Sequence, residues 1–299
     1  APGSLTLTAG GTITTNDAIS TALFDLKAGD WVQINATLPT FSATDFRISG
    51  GSFLRALGGD GNSGSPYQIS DVYGLQGIGS SGTLLTKHYS LANNIDASGT
   101  SAWNGGAGFK PIGIDAASAF SGSFDGGSHT ISNLTINRPG TNEVGLFGHT
   151  NGATLANVGL TNVNVFGGSD VGGLVGKNTG NISNVYITGT VINVNTTAGG
   201  LVGQNSGGNI GNSYAAVSVS GGGGLGGLVG KNTGSISNSF ATGSVSGSAG
   251  FVGGLVGFNT GTITSSYWGT QTSGQATSAG GTGLTTAQMK DAANYSSWD

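Results

Sequence analysis

The tetrapeptide Gly-Leu-(Val/Phe)-Gly recurs five times in this chain, within EVGLFGHTNG, DVGGLVGKNTG, TAGGLVGQNSG, LGGLVGKNTG and FVGGLVGFNTG. Its leucines, Leu146, Leu174, Leu201, Leu228 and Leu255, are spaced by 28, 27, 27 and 27 residues. A fixed period of this size is the mark of stacked repeats, where no unit can bury its apolar side alone. Each unit has the same internal order: a turn such as Asn-Thr-Gly, a short strand such as NISNVYIT or SISNSFAT, a Gly turn, then an alternating strand such as TVINVN. Period-two alternation places Ile182, Asn184 and Tyr186 on one side of the strand and Ser183 and Val185 on the other. Three short strands joined by turns make one coil of a solenoid. Coils stacked as parallel strands rise about 4.8 Å each, so five span about 24 Å.

Stacking assigns a role to each recurring residue. Leu, Ile and Val fill the tube, and the Gly before each anchor leaves room where the coil bends. Asn178, Asn205, Asn232 and Asn259 form one column, and Asn157, Asn184, Asn212 and Asn238 a second. Asn tolerates left-handed backbone and hydrogen-bonds to its copies in a stack, so both columns are expected as corner ladders. Ligand binding by these amides is the alternative.

Of 299 residues, 60 are Gly and 36% are hydrophobic, with five Pro and no Gly-X-Y period. Collagen is excluded, and an all-β chain with many tight turns remains. A net charge of −4, with nine Lys and Arg scattered along the chain, leaves no basic stripe for nucleic acid. Cysteine is absent, and no apolar run is long enough to insert in a membrane. The opening APGSLTLTAG carries neither a signal peptide nor an initiator Met, and reads as a fragment or a processed form.

The twice-occurring GGLVGKNTG invites a nucleotide-binding reading. A phosphate loop needs Gly-x-x-x-x-Gly-Lys-(Ser/Thr), but Val171 and Leu225 stand at the first Gly, and Asn178 and Asn232 follow the lysines. The positions equivalent to Lys177 hold His149, Gln204, Lys231 and Phe258, so the lysine is a variable residue facing water. Polysaccharide cleavage needs a pair of carboxylates or an acid with a basic partner. Residues 171–290 contain no Asp or Glu, and Glu143 is the one Glu of the chain, so the array is not expected to supply such a pair. Upstream, Asp96, Asp115, Asp125 and His129 are available. Asp125 and His129 can be drawn as an acid–base pair, or as a residue closing the Gly126-Gly127 turn and one starting a strand. His88, His129 and His149 lack metal-ligand spacing, and calcium near Asp60 or Asp96 has no supporting motif. No catalytic residue, cofactor or metal site is expected.

The repeat residues resemble the GLUG motif, named for its Gly-Leu-(any)-Gly core, over about 143–270. Upstream, LANNIDASGTSAWNGGAGFKPIG and FSGSFDGGSHTISNLTINRP look like the coil that precedes such repeats. Downstream, SYWGTQTSGQATSAGGTGLTTAQMKDAANYSSWD looks like their usual ending. The N-terminal FSATDFRISGGSFLRALGGDG is similar to segments of filamentous-haemagglutinin-type exoproteins, which are adhesins or biofilm-matrix proteins of Gram-negative bacteria. The resemblance implies a right-handed parallel β-helix, two-partner secretion through an outer-membrane transporter, and a place at the cell surface. GLUG repeats also occur beside protease domains in IgA-peptidase-like surface proteins.

The chain divides into irregular solenoid coils over 1–80, a transition coil over 81–140, five repeats over 141–270, and a loop with a short helical cap over 271–299. A short helix is expected in TNDAISTALFDLKAGD, capped by Asn16 or Asp17 with Ala18, Leu23 and Leu26 on its apolar face, and a loop over 57–68. Thr285-x-x-Gln288 is a capping box for a helix that covers the last coil. Trp31 and Trp268 are expected to pack inside, and Trp298 to belong to the cap. Sugars are held by aromatic platforms beside amides and hydroxyls. TSAWNGGAG is too polar for a core strand, so Trp103, with Asn104 and Lys110, is the candidate ligand site; the alternative is that Trp103 folds back over the core. Together these features point to a non-catalytic adhesive or stalk segment that binds polysaccharide or a surface glycan. A polysaccharide-degrading β-helix and a ligand-free spacer are the alternatives.

Overall fold

The computed structural model of the chain describes residues 3–247, 250–295 and 298. Its strands stack coil upon coil in parallel. One coil of the array runs through Val175–Asn178, Asn181–Ser183, Tyr186–Asn193 and Thr197–Gly199. Each then pairs with its copy one period later, Val175 with Val202, Ile182 with Ile210, Tyr186 with Tyr214 and Ala198 with Leu225. The result is a parallel β-solenoid. The right hand implied by the resemblance is also the one that crossovers between parallel strands prefer.

A coil has four strands, not three. The unexpected one lies in the glycine run ahead of the last four anchors, as Val171–Gly172, Thr197–Gly199, Gly224–Gly226 and Val252–Gly253. Two or three residues are too few for alternation to show. Glycine is needed there by close approach: a Cβ on Gly226 would sit 1.9 Å from the Val229 carbonyl oxygen. All five anchor leucines are fully buried, each contributing about 1.5–3 kcal/mol of apolar transfer. Leu155, Ile182, Ile210, Ile236 and Ile263 form a second column in register.

The first Asn column is an internal ladder. Asn178 Nδ2 donates to Asn205 Oδ1 at 2.9 Å, Asn205 to Asn232 at 2.8 Å and Asn232 to Asn259 at 2.8 Å. Thr150 Oγ1 caps it by donating to Asn178 Oδ1 at 2.8 Å. Asn178, Asn205 and Asn232 are wholly buried, so each amide must find its partners inside the protein.

The second column stands at a corner. Asn157, Asn184, Asn212 and Asn238 all have left-handed φ between 46 and 55°. That turn resets the alternation and corrects the expected facing. Ile182 and Val185 are both buried, while Asn184 and Tyr186 point outward.

Ahead of the array, β1 (Ser4–Ile13), β2 (Ile19–Ile34), β3 (Phe41–Ile48) and β4 (Ser52–Ala56) form a separate parallel sheet. The first half of β2 pairs with β3 and the second with β4. The helix expected over TNDAISTALFDLKAGD is therefore strand. Partners on both sides, and burial of Phe24, Leu26 and Trp31, override its weak helical pattern. Phe24 stacks on Phe46 and Trp31 on Phe53, at 5.2 and 5.5 Å between centroids. The segment expected as loop over 57–68 ends inside a strand, Tyr67–Ile69.

At the other end, Trp268 and Leu284 are buried at the last coil. The capping box forms: Thr285 Oγ1 accepts from Gln288 N, and the Gln288 side chain accepts from Thr285 N. The helix it starts, Thr286–Met289, buries no residue. The cap works through Tyr295 and Trp298, which lie against the outer rings of Tyr267 and Phe240.

Candidate functional site

Trp103 offers no platform to a ligand. It is completely buried, 5.2 Å from the Tyr73 ring and 5.0 Å from Phe46. The polar, glycine-rich segment around it forms broken 3-10 turns in which Asn104 and Gly105 take positive φ, and this carries the indole inward. Asn104 and Lys110 do share a small cleft of about 90 Å³ with Ser49, Gln76 and Ser80. Asn104 Nδ2 donates to the Gly108 carbonyl at 2.8 Å, and the Gln76 side chain bridges the Lys110 backbone N–H and C=O. The cleft holds turns together, and with Trp103 gone from its surface no aromatic face remains among its exposed groups.

The upstream carboxylates do not converge. Asp125 accepts from Gly127 N at 2.9 Å and closes the turn before the strand Thr130–Ser132. Asp96 accepts from Ser98 and from Asn133, whose amide, with Ser98, holds it below the usual carboxylate range. Asp115 accepts from Ser118 N. Asp96 and Asp125 lie on different sheets. His88 Nδ1 is engaged by Ser123 Oγ at 2.7 Å. Among the described residues no group of three His, Asp or Glu is arranged for a metal ion.

One acidic pair was not foreseen. Glu143 and Asp170 sit in successive coils at the N-terminal border of the array, where Val144 bridges Val171. Both have left-handed backbone, with φ of 54 and 52°. Glu143 Oε2 meets His149 Nδ1 at 2.8 Å, and Lys177 Nζ lies 3.8 Å from Oε1. Burial, reinforced by Glu143, pushes the Asp170 carboxyl above its ordinary range. Lys177 is thus half-buried beside an acid rather than free in water. The column it belongs to runs His149, Lys177, Gln204, Lys231 and Phe258 in register.

The most regular outward feature is an aromatic ladder. Tyr186, Tyr214, Phe240 and Tyr267 are register partners in four successive coils. Tyr186 and Tyr214 stack at 5.4 Å with 12° between planes, and Tyr214 and Phe240 at 4.8 Å with 6°. Each ring follows a corner residue by two positions, after Asn184, Asn212, Asn238 and Ser265, so rings and amides run side by side. The residue between them points inward. Ser239 Oγ accepts from Ser213 N and Ser266 Oγ from Ser239 N, tying the corner down. Burial and the neighbouring Tyr186 push the Tyr214 phenol above its ordinary range. Beside it lies a hollow of about 380 Å³ lined by Asn212, Ser213, Tyr214, Asn238, Phe240 and Trp298. The signal for it was present as Asn-x-Tyr, Asn-x-Tyr, Asn-x-Phe and Ser-x-Tyr. An unbroken alternation, however, puts those rings on the same side as the core isoleucines.

Comparison with known proteins bears on the repeats. A family model described as the GLUG motif matches residues 167–192 and 221–246, around the anchors Leu174 and Leu228. The chain carries the GLUG motif. Halomucin of Haloquadratum walsbyi is 41% identical over 170 residues, which is 54% of this chain and 2% of halomucin. The chain therefore spans only a small fraction of that relative's length. A crystal structure at 1.30 Å, assigned provisionally as an immunoglobulin A1 protease of Bacteroides ovatus, superposes with a TM-score of 0.58. That superposition covers 81% of this chain and 90% of the other, at 21% identity, and shows a shared fold. Both GLUG matches include one member of the aromatic ladder, Tyr186 in the first and Phe240 in the second. No helix among the described residues is long and apolar enough to cross a membrane.

Proposed function

We propose that this chain is a non-catalytic adhesive or stalk segment of a secreted surface or biofilm-matrix protein, and that its neutral outer face binds polysaccharide. The observation that carries the reading is the pairing of an aromatic ladder with a row of corner amides over successive coils. Stacked rings cover each other's faces and present a continuous strip of C–H edges, an apolar surface for the C–H side of a sugar ring, while the amides exchange hydrogen bonds with its hydroxyls. Repetition at one coil per step presents the same chemistry to successive units of an extended chain, so weak contacts add. The GLUG motif and the likeness to halomucin support a place in a large surface protein. Secretion by an outer-membrane transporter of the two-partner type, and the filamentous-haemagglutinin-like character of the N-terminal part, belong to the same proposal.

A glycan array probed with the purified chain tests it. Retention of polysaccharides or surface glycans is expected. No retention, together with adhesion that survives deletion of 141–270, would leave a ligand-free spacer.

A second reading, polysaccharide cleavage, draws on Glu143 and Asp170. An acid with a raised pKa beside a second carboxylate is the pairing that glycoside hydrolysis uses. Release of reducing ends by the chain, abolished in Glu143→Gln and in Asp170→Asn, would establish it over the non-catalytic reading.

A further inference from the structure

We propose that the hollow between Tyr214, Phe240 and Trp298 is a discrete binding site for neutral hexopyranose units, with Asn212 and Asn238 as its polar contacts. The inference rests on the polysaccharide reading above and names the place and the sugar class.

Four features of the hollow lead there. Its volume of about 380 Å³ lies at the small end of ligand sites and suits one or two sugar rings rather than a folded partner. Its walls are aromatic but not closed. Trp298 stands 5.9 Å from Phe240 and is tilted by 31°, unlike the parallel rings of the ladder proper. The Trp298 Nε1–H is already donated to the Ser265 carbonyl at 2.8 Å. What the indole offers is therefore carbon surface, the complement of the C–H face of a pyranose.

The third feature is unspent hydrogen-bonding capacity. The corner-amide ladder runs from Asn184 Nδ2 to Asn157 Oδ1 at 2.9 Å, and from Asn238 Nδ2 to Asn212 Oδ1 at 3.3 Å. It is interrupted between Asn184 and Asn212. Among the described residues neither Asn212 Nδ2 nor Asn238 Oδ1 has a hydrogen-bond partner, and both residues line the hollow. One offers donors and the other an acceptor, the pair needed for vicinal hydroxyls.

The fourth feature is charge. None of the six lining residues is ionisable in the neutral range, and Tyr214 is held neutral by burial. A uronate or a sulfated sugar finds no cation among these six residues, whereas a neutral hexose brings no charge to be compensated.

The chain carries its own reporter. Trp31, Trp103 and Trp268 are buried, so a ligand in the hollow changes the fluorescence of Trp298. The experiment titrates the full chain with a cello-oligosaccharide, a manno-oligosaccharide and an oligogalacturonate of matched length. Saturable fluorescence change with at least one neutral oligomer, and none with the galacturonate, is the expected result. Tyr214→Ala should weaken binding about tenfold or more, as loss of part of the apolar wall and of the ring against which Phe240 is stacked. Asn212→Gly, which keeps the left-handed backbone and guards against misfolding, should also weaken it. Lys231→Ala, in another column, should leave it unchanged. Neutral binding that survives both Tyr214→Ala and Asn212→Gly would overturn this site while leaving the polysaccharide reading intact. No fluorescence change with either neutral oligomer would overturn this site, and failure of the immobilised chain to retain any neutral polysaccharide would overturn the polysaccharide reading as well. Equal binding of the galacturonate would overturn the assignment to neutral sugars.

Discussion

Replacing Asn205 by Ala tests whether the buried amide ladder is energetic or ornamental. Asn205 donates to Asn232 Oδ1 at 2.8 Å and to the Gly208 carbonyl at 2.9 Å, and it accepts from Asn178 Nδ2 at 2.9 Å. All three bonds vanish in Asn205→Ala. No partner is left wholly unpaired: Asn178 Nδ2 keeps the Gly180 carbonyl, Asn232 Oδ1 keeps Gly234 N, and the Gly208 carbonyl keeps Ser235 N. The cost is then the net worth of three buried neutral hydrogen bonds, about 3 kcal/mol. Asn259→Ala is the comparison. It stands at the end of the ladder and is only partly buried: it loses one bond between coils at 2.8 Å and two longer ones to Gly261 at 3.2 and 3.3 Å, and its partners can turn to water, so a smaller cost of about 1 kcal/mol follows. Urea unfolding supplies both values, and amide exchange locates the damage, which should fall on the coils flanking Asn205. A cost below about 1 kcal/mol for Asn205→Ala, or one equal to that of Asn259→Ala, would refute the argument.

Three further outcomes follow from single positions. A Cβ on Gly203 would lie 2.4 Å from the Asp170 carbonyl carbon, whereas one on Gly224 meets nothing nearer than 3.7 Å. Gly203→Ala should therefore destabilise by about 2 kcal/mol or more and Gly224→Ala by less than about 0.5 kcal/mol in the same unfolding assay. Asn184 has φ 55°, so Asn184→Val should lower the melting temperature well beyond Asn184→Gly, by the cost of a branched side chain in left-handed backbone, about 1–2 kcal/mol. Asp170, its carboxyl pushed upward in the fold by burial and by Glu143, binds its proton more tightly folded than unfolded. Its contribution is whole below the ordinary aspartate value of 3.8 and is lost as pH rises through the higher folded value. Asp170→Asn should accordingly raise stability at neutral pH, with the gain shrinking in acid; a gain independent of pH would sink this assignment.

What was legible in the sequence was whatever repeats on the inside. The leucine period, the Asn178–Asn259 column and the Thr285 capping box all involve local patterns that backbone geometry turns directly into contacts. Two kinds of feature were hidden. The strand from Ile19 to Ile34 depends on neighbours supplied by β1, β3 and β4, which no local pattern encodes. The facing of Tyr186 depends on one left-handed residue, Asn184, that breaks the alternation after Ile182. The same ignorance of backbone path put Trp103 outside, where the positive φ of Asn104 and Gly105 turns it inward. Glu143 and Asp170 were missed for a simpler reason: they precede the acid-free stretch and meet through stacking rather than through sequence.

Five copies in one chain also allow outward positions to be compared with each other. The column from His149 to Phe258 changes chemistry at nearly every step, each residue meeting a different neighbour: His149 is buried against Glu143, and Phe258 lies against Phe251. The column from Tyr186 to Tyr267 is half-buried throughout and stays aromatic. Two explanations compete. Stacking alone is worth about 0.5–1.5 kcal/mol per pair, enough to keep rings for stability. A binding face keeps them for a ligand. Phe240→Leu separates the two, since leucine retains most of the buried apolar area and loses the flat face. Under the stability account, the variant should cost about 1–2 kcal/mol, from its contacts with Tyr214 and Trp298, and glycan retention should follow the folded fraction. Under the binding account, retention at a temperature where the variant is fully folded should fall several-fold. Full retention by folded Phe240→Leu would assign the ladder to the scaffold and remove the chief support for a sugar-binding face.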